Sequence, residues 1–302
     1  MICAMGELLI DFLQSETNSH GYPVLSAMPG GAPANYLCAV KKQDTDAFFI
    51  GKTGDDAFGT LLKNTLNEKG IRTDGLIQDK DAFTTLAFVT LDKDGDRSFS
   101  FARKPGADTK ITEEETDYSI IDSCSVFHFG SLSFTDEPSY MAVKKAAEYA
   151  KSKGKTVDYD PNYRPSLWKN EDIARERMKE GFFLADTVKL SEEECQFIFG
   201  LSPEETAELL IDEYGVSLVF VTLGEKGCYF RTEQASGYVT PTVKVNPIDT
   251  TGAGDIFGGT ASALILKTGK HPSVLSEKEL YDIALTACNT ASLSTEIHGG
   301  ML

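Results

Sequence analysis

Residues 249–266 read DTTGAGDIFGGTASALIL. From Ile256 onward, Phe257, Thr260, Ala261, Leu264 and Ile265 recur at helical spacing, so this half is an amphipathic helix. Gly252, Ala253 and Gly254 stand directly before it. The first N–H groups of a helix have no partner inside it and carry about half a positive charge. Small residues there let an anion come close, which makes an anion hole. Asp255 falls in the first turn, beside whatever anion binds. A carboxylate so placed is costly unless it removes a proton from an attacking hydroxyl, with the hole holding a phosphoryl group in transfer. The rival reading is a helix cap, since Asp and Thr are good N-caps and Gly suits tight turns.

Outward from this stretch, helical stripes recur at 58–66, 143–150, 207–214 and 280–291. Short apolar runs of strand length separate them, at 2–5, 47–50, 125–129, 156–159, 186–190 and 217–223. These runs do not alternate strictly, as expected of strands buried on both faces. Strand and helix in series imply an α/β fold with a parallel sheet covered on both sides. Two segments break the rhythm. Residues 11–29 have no helical period, and 83–103 read as strands Thr84–Leu91 and Arg97–Ala102 joined by Lys93-Asp94-Gly95-Asp96, a hairpin signal. Together they are expected to form a small β-sheet lid inserted in one domain spanning 1–302. The alternative is a surface loop and a hairpin with no part in closure.

The length of 302 residues buries a core without staples. Hydrophobic content of 41% and charged content of 25% exclude a disordered chain. A formal charge of −17 argues against nucleic acid and against anionic membranes as partners. An anionic substrate must then be met by local donors. Six scattered cysteines show no metal-ligand spacing and read as reduced, buried thiols. With no secretory signal and no run of about 18 apolar residues, a cytoplasmic location is expected.

The glycine turn is not a dinucleotide fingerprint, because Phe257 stands where that pattern needs glycine. Gly51-Lys52-Thr53 is not a phosphate-binding P-loop, because position 46 is Asp. A second cluster is Pro29-Gly30-Gly31-Ala32-Pro33-Ala34-Asn35. Its glycines permit close backbone approach, Pro33 suits a first helical turn, and Asn35 offers a donor and an acceptor to hydroxyls. Asp11 follows the first strand, where α/β folds place ligands; its bland alternative is a solvated loop carboxylate. A third cluster, Asp158 to Pro165, leaves a strand the same way, and Arg164 offers a planar fork to phosphate or carboxylate. His128 reads as a satisfied strand histidine and Trp168 as packing.

Taken together, these segments resemble the ribokinase/PfkB family of sugar kinases. The N-terminal signature is matched by Gly30 to Asn35 with Phe49 to Gly59 after it, and the C-terminal one by Asp249 to Gly259. Val221 to Gly227 looks like the family's nucleotide-binding strand and turn. Asp158–Trp168 and Arg97–Asp108 look most like the corresponding stretches of bacterial fructokinases. The resemblance implies a three-layer sandwich with a mainly parallel central sheet and a β lid. It implies ATP-dependent phosphorylation of a sugar hydroxymethyl with Mg²⁺, D-fructose being the favoured acceptor. Asp255 would be the base, with Gly252, Ala253 and Gly254 as the anion hole. Asp11, Gly31 and Asn35 would bind sugar hydroxyls, with Arg103 and Asn162 as lesser candidates. Arg164, Lys189, Thr222, Gly224, Gly227 and, more weakly, Asn289 would lie along the nucleotide. Lys189 stands where many relatives carry Asn. Glu192 matches the acidic position that holds magnesium-bound water, and Asp249 and Thr251 would supply oxygens to a monovalent cation, K⁺. Homodimerisation through the lid strands is expected. The runner-up is a 2-keto-3-deoxygluconate kinase, using Arg103 or Arg164 for the acid's carboxylate; a sugar or nucleotide sensor without catalysis is the rival from another class.

Overall fold

The computed structural model describes residues 1–91 and 97–301, so the turn expected at Lys93–Asp96 lies outside the described residues. In chain order the elements begin with β1 (Ile2–Met5), β2 (Leu9–Thr17), β3 (Pro23–Gly30) and α1 (Ala32–Lys42). Then come β4 (Ala47–Gly54), α2 (Ala57–Glu68), β5 (Arg72–Asp79), β6 (Leu86–Leu91), β7 (Arg97–Ala102) and α3 (Tyr118–Ser123). The middle of the chain forms β8 (Val126–Gly130), α4 (Ser139–Ser152), β9 (Thr156–Asp160), α5 (Glu171–Leu184), β10 (Thr187–Ser191), α6 (Glu192–Phe199) and α7 (Pro203–Asp212). It ends with β11 (Leu218–Thr222), β12 (Cys228–Arg231), β13 (Ser236–Val239), α8 (Ala253–Thr268) and α9 (Glu277–Ser294).

The main sheet has the order β13-β12-β11-β10-β9-β8-β1-β4-β5 among the described residues. It is parallel from β5 to β11, and the β11-β12-β13 meander at one edge is antiparallel. Side chains alternate across a strand, so each central strand feeds two cores. Cys3 and Met5 of β1 pack with α3, α4 and α5, while Ile2 and Ala4 pack with α1 and α2. In the same way Val219 and Val221 of β11 face α6 and α7, and Leu218 and Phe220 face α8 and α9. Helices on both faces make the three-layer α/β sandwich that the alternation predicts. All six cysteines are free and buried in these cores.

The two segments that break the rhythm form a second sheet, β3-β2-β6-β7. Its root is tied to the main sheet by polar groups. Asp56 caps α2 through Gly59 N–H at 2.8 Å and also accepts from the backbone N–H and hydroxyl of Thr84, both at 2.8 Å. Lys52, in the stretch excluded as a P-loop, is buried against Asp79 and Glu115 at 3.1 and 2.7 Å. Among the described residues no helix is long and apolar enough to cross a membrane.

After β1 the chain continues outward to β4 and β5, and then returns to β8, β9, β10 and β11 on the other side of β1. The strand order therefore reverses between β1 and β8. Open α/β sheets leave a crevice beyond the carboxyl ends of the strands at such a point.

Candidate active site

That crevice is a cleft of about 560 Å³, within the range of small-molecule sites. Its walls come from the ends of β1, β9, β10 and β11, the first turns of α1 and α8, and the second sheet through Leu9, Asp11 and Phe101. Gly31 opens α1 with φ 119°, and a Cβ there would lie 2.5 Å from the Glu7 carbonyl oxygen. Only glycine lets α1 begin this close to the end of β1. Gly252 opens α8 in the left-handed region at φ 76°, where a Cβ would fall 3.0 Å from Asn35 Nδ2.

Asp255 is 8% exposed and faces this cleft. Its Oδ2 accepts from Asn35 Nδ2 at 2.8 Å and its Oδ1 from Asn162 Nδ2 at 3.1 Å. These two amides, not the helix backbone, are the partners shown for its oxygens, and the N-cap of α8 is Gly252, which has no side chain. Burial, then the charge of Asp160, push the Asp255 carboxyl up to about 6, against the pull of Lys189, the Asn35 amide and Arg164. Burial thus leaves this carboxyl closer to neutrality than a surface carboxylate.

Lys189 extends from β10 and is 8% exposed. Its Nζ pairs with Asp160 at 2.9 Å. A Cβ on Gly254 would come within 2.7 Å of the same ammonium, so the cation stands against the glycine turn. Burial alone would lower the lysine; Asp160, Glu194 and Asp255 outweigh it and hold the group above the ordinary lysine range. Asp11 is pushed up to about 6 by burial, with Arg164 pulling it down and Asp255 and Asp249 pushing it further up.

The cleft brings together Asp11, Gly31, Asn35, Asn162, Arg164, Lys189, Thr222, Gly224, Thr251, Gly252, Gly254 and Asp255. Ala253 is the first residue of α8, between two of them. Other candidates stand elsewhere. Arg103 is buried away from the cleft wall, its Nε on Asp108 at 2.7 Å, Nη1 on Thr135 Oγ1 at 2.6 Å and Nη2 on the Leu132 carbonyl at 2.9 Å. Gly227 packs under β13, where a Cβ would strike the Val239 carbonyl. Asn289 holds the 242–243 backbone, accepting from Thr242 N–H at 2.8 Å. Glu192 begins α6 exposed, while Glu193 and Glu194 line the cleft instead. Asp249 is buried, accepting from Thr251 N–H at 2.9 Å and Gly299 N–H at 3.0 Å. His128 is stacked on Tyr36 with its Nδ1 making no hydrogen bond among the described residues, so it is not the satisfied histidine expected.

Three further carboxylates bear on the cleft; none of them has a role in the sequence reading, although Asp160 lies in its third cluster. Glu7 is buried just after β1; its Oε1 accepts from Ala32 N–H at 3.0 Å and its Oε2 makes no hydrogen bond among the described residues. Asp160 ends β9. Glu194 accepts from Tyr163 and Ser191 N–H, both at 2.7 Å, closing a capping box on α6. Their shared signal is position: each lies at or just beyond the carboxyl end of a central strand.

The pfkB family carbohydrate kinase model matches residues 1–302. A fructokinase-1 of Oryza sativa subsp. japonica is 37% identical over all of this chain and 93% of its own length. The fructokinase of Xylella fastidiosa solved with bound ATP superposes with a TM-score of 0.91 at 30% identity, covering 99% of this chain and 93% of that one. The fructokinase of Vibrio cholerae O395, solved with fructose, ADP and calcium, superposes at 0.86 with 30% identity, covering 99% and 94%. A buried carboxylate at the head of α8, a cleft at the strand reversal and a family match along the full length agree: this chain belongs to the pfkB family of carbohydrate kinases.

Proposed function

We propose that the protein transfers the γ-phosphoryl group of ATP to the hydroxymethyl of D-fructose, giving fructose 6-phosphate. One observation carries this reading: Asp255 is buried at the mouth of the glycine turn with both oxygens held by amides and a buried ammonium beside it. An amide NH₂ can only donate, so the pair fixes the carboxylate in its accepting form. The base takes the hydroxyl proton while the alkoxide oxygen forms the new P–O bond. The bond to the β-bridging oxygen breaks, and ADP leaves with its electron pair. The N–H groups opening α8 and the Lys189 ammonium meet the charge on the phosphoryl oxygens. The second sheet acts as the lid that excludes water.

The acceptor is a neutral sugar on electrostatic grounds. Glu7, Asp11 and Asp255 line the sugar side of the cleft, and the Arg103 donors are engaged by Asp108, Thr135 and Leu132. With Arg103 engaged, a sugar acid would have Arg164 alone, among the described arginines of the cleft wall, to set against those carboxylates. The fructokinase relatives, one holding fructose and ADP, support the same acceptor. No group of three acidic, histidine or cysteine side chains that could hold a metal occurs among the described residues. Mg²⁺ is expected on the nucleotide phosphates, as in the family, with Glu192 at the start of α6 as the implied acidic position and Glu193 beside it on the cleft wall. Bound there, Mg²⁺ would neutralise phosphate charge. Asp249 and Thr251 would hold K⁺ beside the start of α8. We further infer a cytoplasmic homodimer built through the second sheet. The deciding assay is ADP release with fructose and with 2-keto-3-deoxygluconate in parallel. Release with fructose supports the reading; a preference for the acid, or no sugar-dependent release, overturns it.

A further inference from the structure

We propose that Asp160 is the positioning residue that holds the base and the buried cation of the cleft in one register. The inference deepens the kinase reading above and rests on it. Asp160 is 4% exposed at the end of β9. Its Oδ1 accepts the backbone N–H of Asn162 at 3.1 Å, and its Oδ2 accepts from Lys189 Nζ at 2.9 Å. The two oxygens of one carboxylate thus support two separate arms.

The first arm leads to the base. The bond from Asn162 N–H to Asp160 closes a tight turn beyond β9, with Asn162 at φ 46°. Asparagine tolerates this left-handed region better than most residues. In that conformation its Nδ2 reaches Asp255 Oδ1 at 3.1 Å. The second arm leads to the phosphoryl side. Lys189 lies on β10, the parallel neighbour of β9, and its ammonium stands against Gly254. A lysine this buried loses its charge unless a counter-ion is close. Asp160 supplies that counter-ion and also fixes where the ammonium points. Displacing Asp160 therefore displaces the base clamp and the cation together.

The charged groups that bear on Asp255 are Asp160 from β9, Lys189 from β10, Arg164 from the loop after β9 and Asp11 from β2; Glu194 of α6 bears on it through Lys189. Replacing Asp160 by Asn removes the negative charge that raises the Asp255 carboxyl, while Glu194 and Asp255 remain as counter-charges to Lys189. Losing that charge favours the ionised base, so the acid limb of activity moves to lower pH. Replacing Lys189 by Met removes the positive charge and moves the limb to higher pH.

The test measures kcat, the fructose KM, the pH dependence of kcat/KM and the melting temperature for wild type, Asp160→Asn, Asn162→Ala and Lys189→Met. Asp160→Asn is expected to lose about 10²-fold in kcat, the scale of a misplaced catalytic group. Its fructose KM is expected to stay within about threefold, because the loss is confined to the transition state. Its acid limb should fall while that of Lys189→Met rises. Asn162→Ala should lower kcat more than it raises KM, which keeps the first arm testable even if Asp160→Asn does not fold. Wild-type kcat in Asp160→Asn or in Asn162→Ala overturns the proposal. So does an acid limb that moves in Lys189→Met and stays put in a folded Asp160→Asn. A wild-type enzyme with no sugar-dependent ADP release overturns the kinase reading as well; an active wild type beside an indifferent Asp160→Asn overturns this inference alone.

Discussion

Asp255 has both oxygens occupied by donors and is still less acidic than a surface carboxylate, because burial outweighs those bonds. A base of this kind loses activity as pH falls through about 6, the value to which its carboxyl is raised. Asp255→Asn keeps the shape and removes the proton acceptor, so kcat should fall by about 10³-fold while ATP affinity is retained. Turnover near that of the wild type, measured by ADP release, would defeat the assignment. Glu7 makes a different prediction, on stability. Burial raises its carboxyl to about 7 from an ordinary 4.5. The folded protein then binds this proton more tightly than the unfolded chain, so the contribution of Glu7 to stability is greatest below 4.5 and is lost as pH rises through 7. The decline is worth about 3 kcal/mol. Glu7→Gln retains the acceptor for Ala32 N–H and should lose this dependence. Parallel loss of melting temperature in both proteins between pH 5 and about 8 would remove Glu7 as its source. Asp255, Asn35 and the glycines were legible because each sits inside a contiguous motif. Glu7 and Glu194 were not, and Asp160 lay inside the Asp158–Pro165 cluster without a role of its own, because what these three do arises from strands adjacent only in space.

The elements on which the site is built were legible where the hydrophobic period is strong. Buried strands such as β1, β4 and β10 and helices such as α8 and α9 carry it through most of their length. β5 was missed because RTDGLIQD is polar along a sheet edge, and β12 and β13 because each spans four residues in an antiparallel meander. The spacing of β2, β3, β6 and β7 marked a separate sheet without showing how it is rooted. Arg103 is part of that root. It follows β7 and ties the sheet to Asp108, Leu132 and Thr135 beside β8. The family resemblance implied a lesser sugar-side role for it. Its partners make it an anchor of the second sheet, with a buried ion pair to Asp108 at 2.7 Å. Removing one member of such a pair strands the other, so Arg103→Met should destabilise the fold by about 3 kcal/mol. Denaturant unfolding measures this directly. Unchanged stability together with a raised fructose KM would return the guanidinium to the substrate.

At the scale of the molecule, a chain of net charge −17 that is proposed to bind a polyanionic nucleotide needs local attraction. The α8 N-terminus, Lys189 and Arg164 supply it inside the cleft, beside the carboxyls of Glu7 and Asp11, the latter within the field of Arg164. The second sheet covers the cleft and has its own exposed borders in β3 and β7. Border strands present unpaired N–H and C=O groups, a template for another chain. Apolar side chains lie along the β3 border: Leu25 is 41% exposed and Tyr22 before it 67%. A second copy laid against this sheet would cover those side chains and stiffen the lid over the bound sugar. The chain of 32.9 kDa should therefore sediment as a dimer, and Leu25→Arg should shift it toward the monomer. Because the partner sheet would brace the lid, the same variant should raise the fructose KM more than it lowers kcat. A wild-type protein that sediments as a monomer at assay concentrations, or a Leu25→Arg variant that remains dimeric with an unchanged KM, would separate lid closure from assembly.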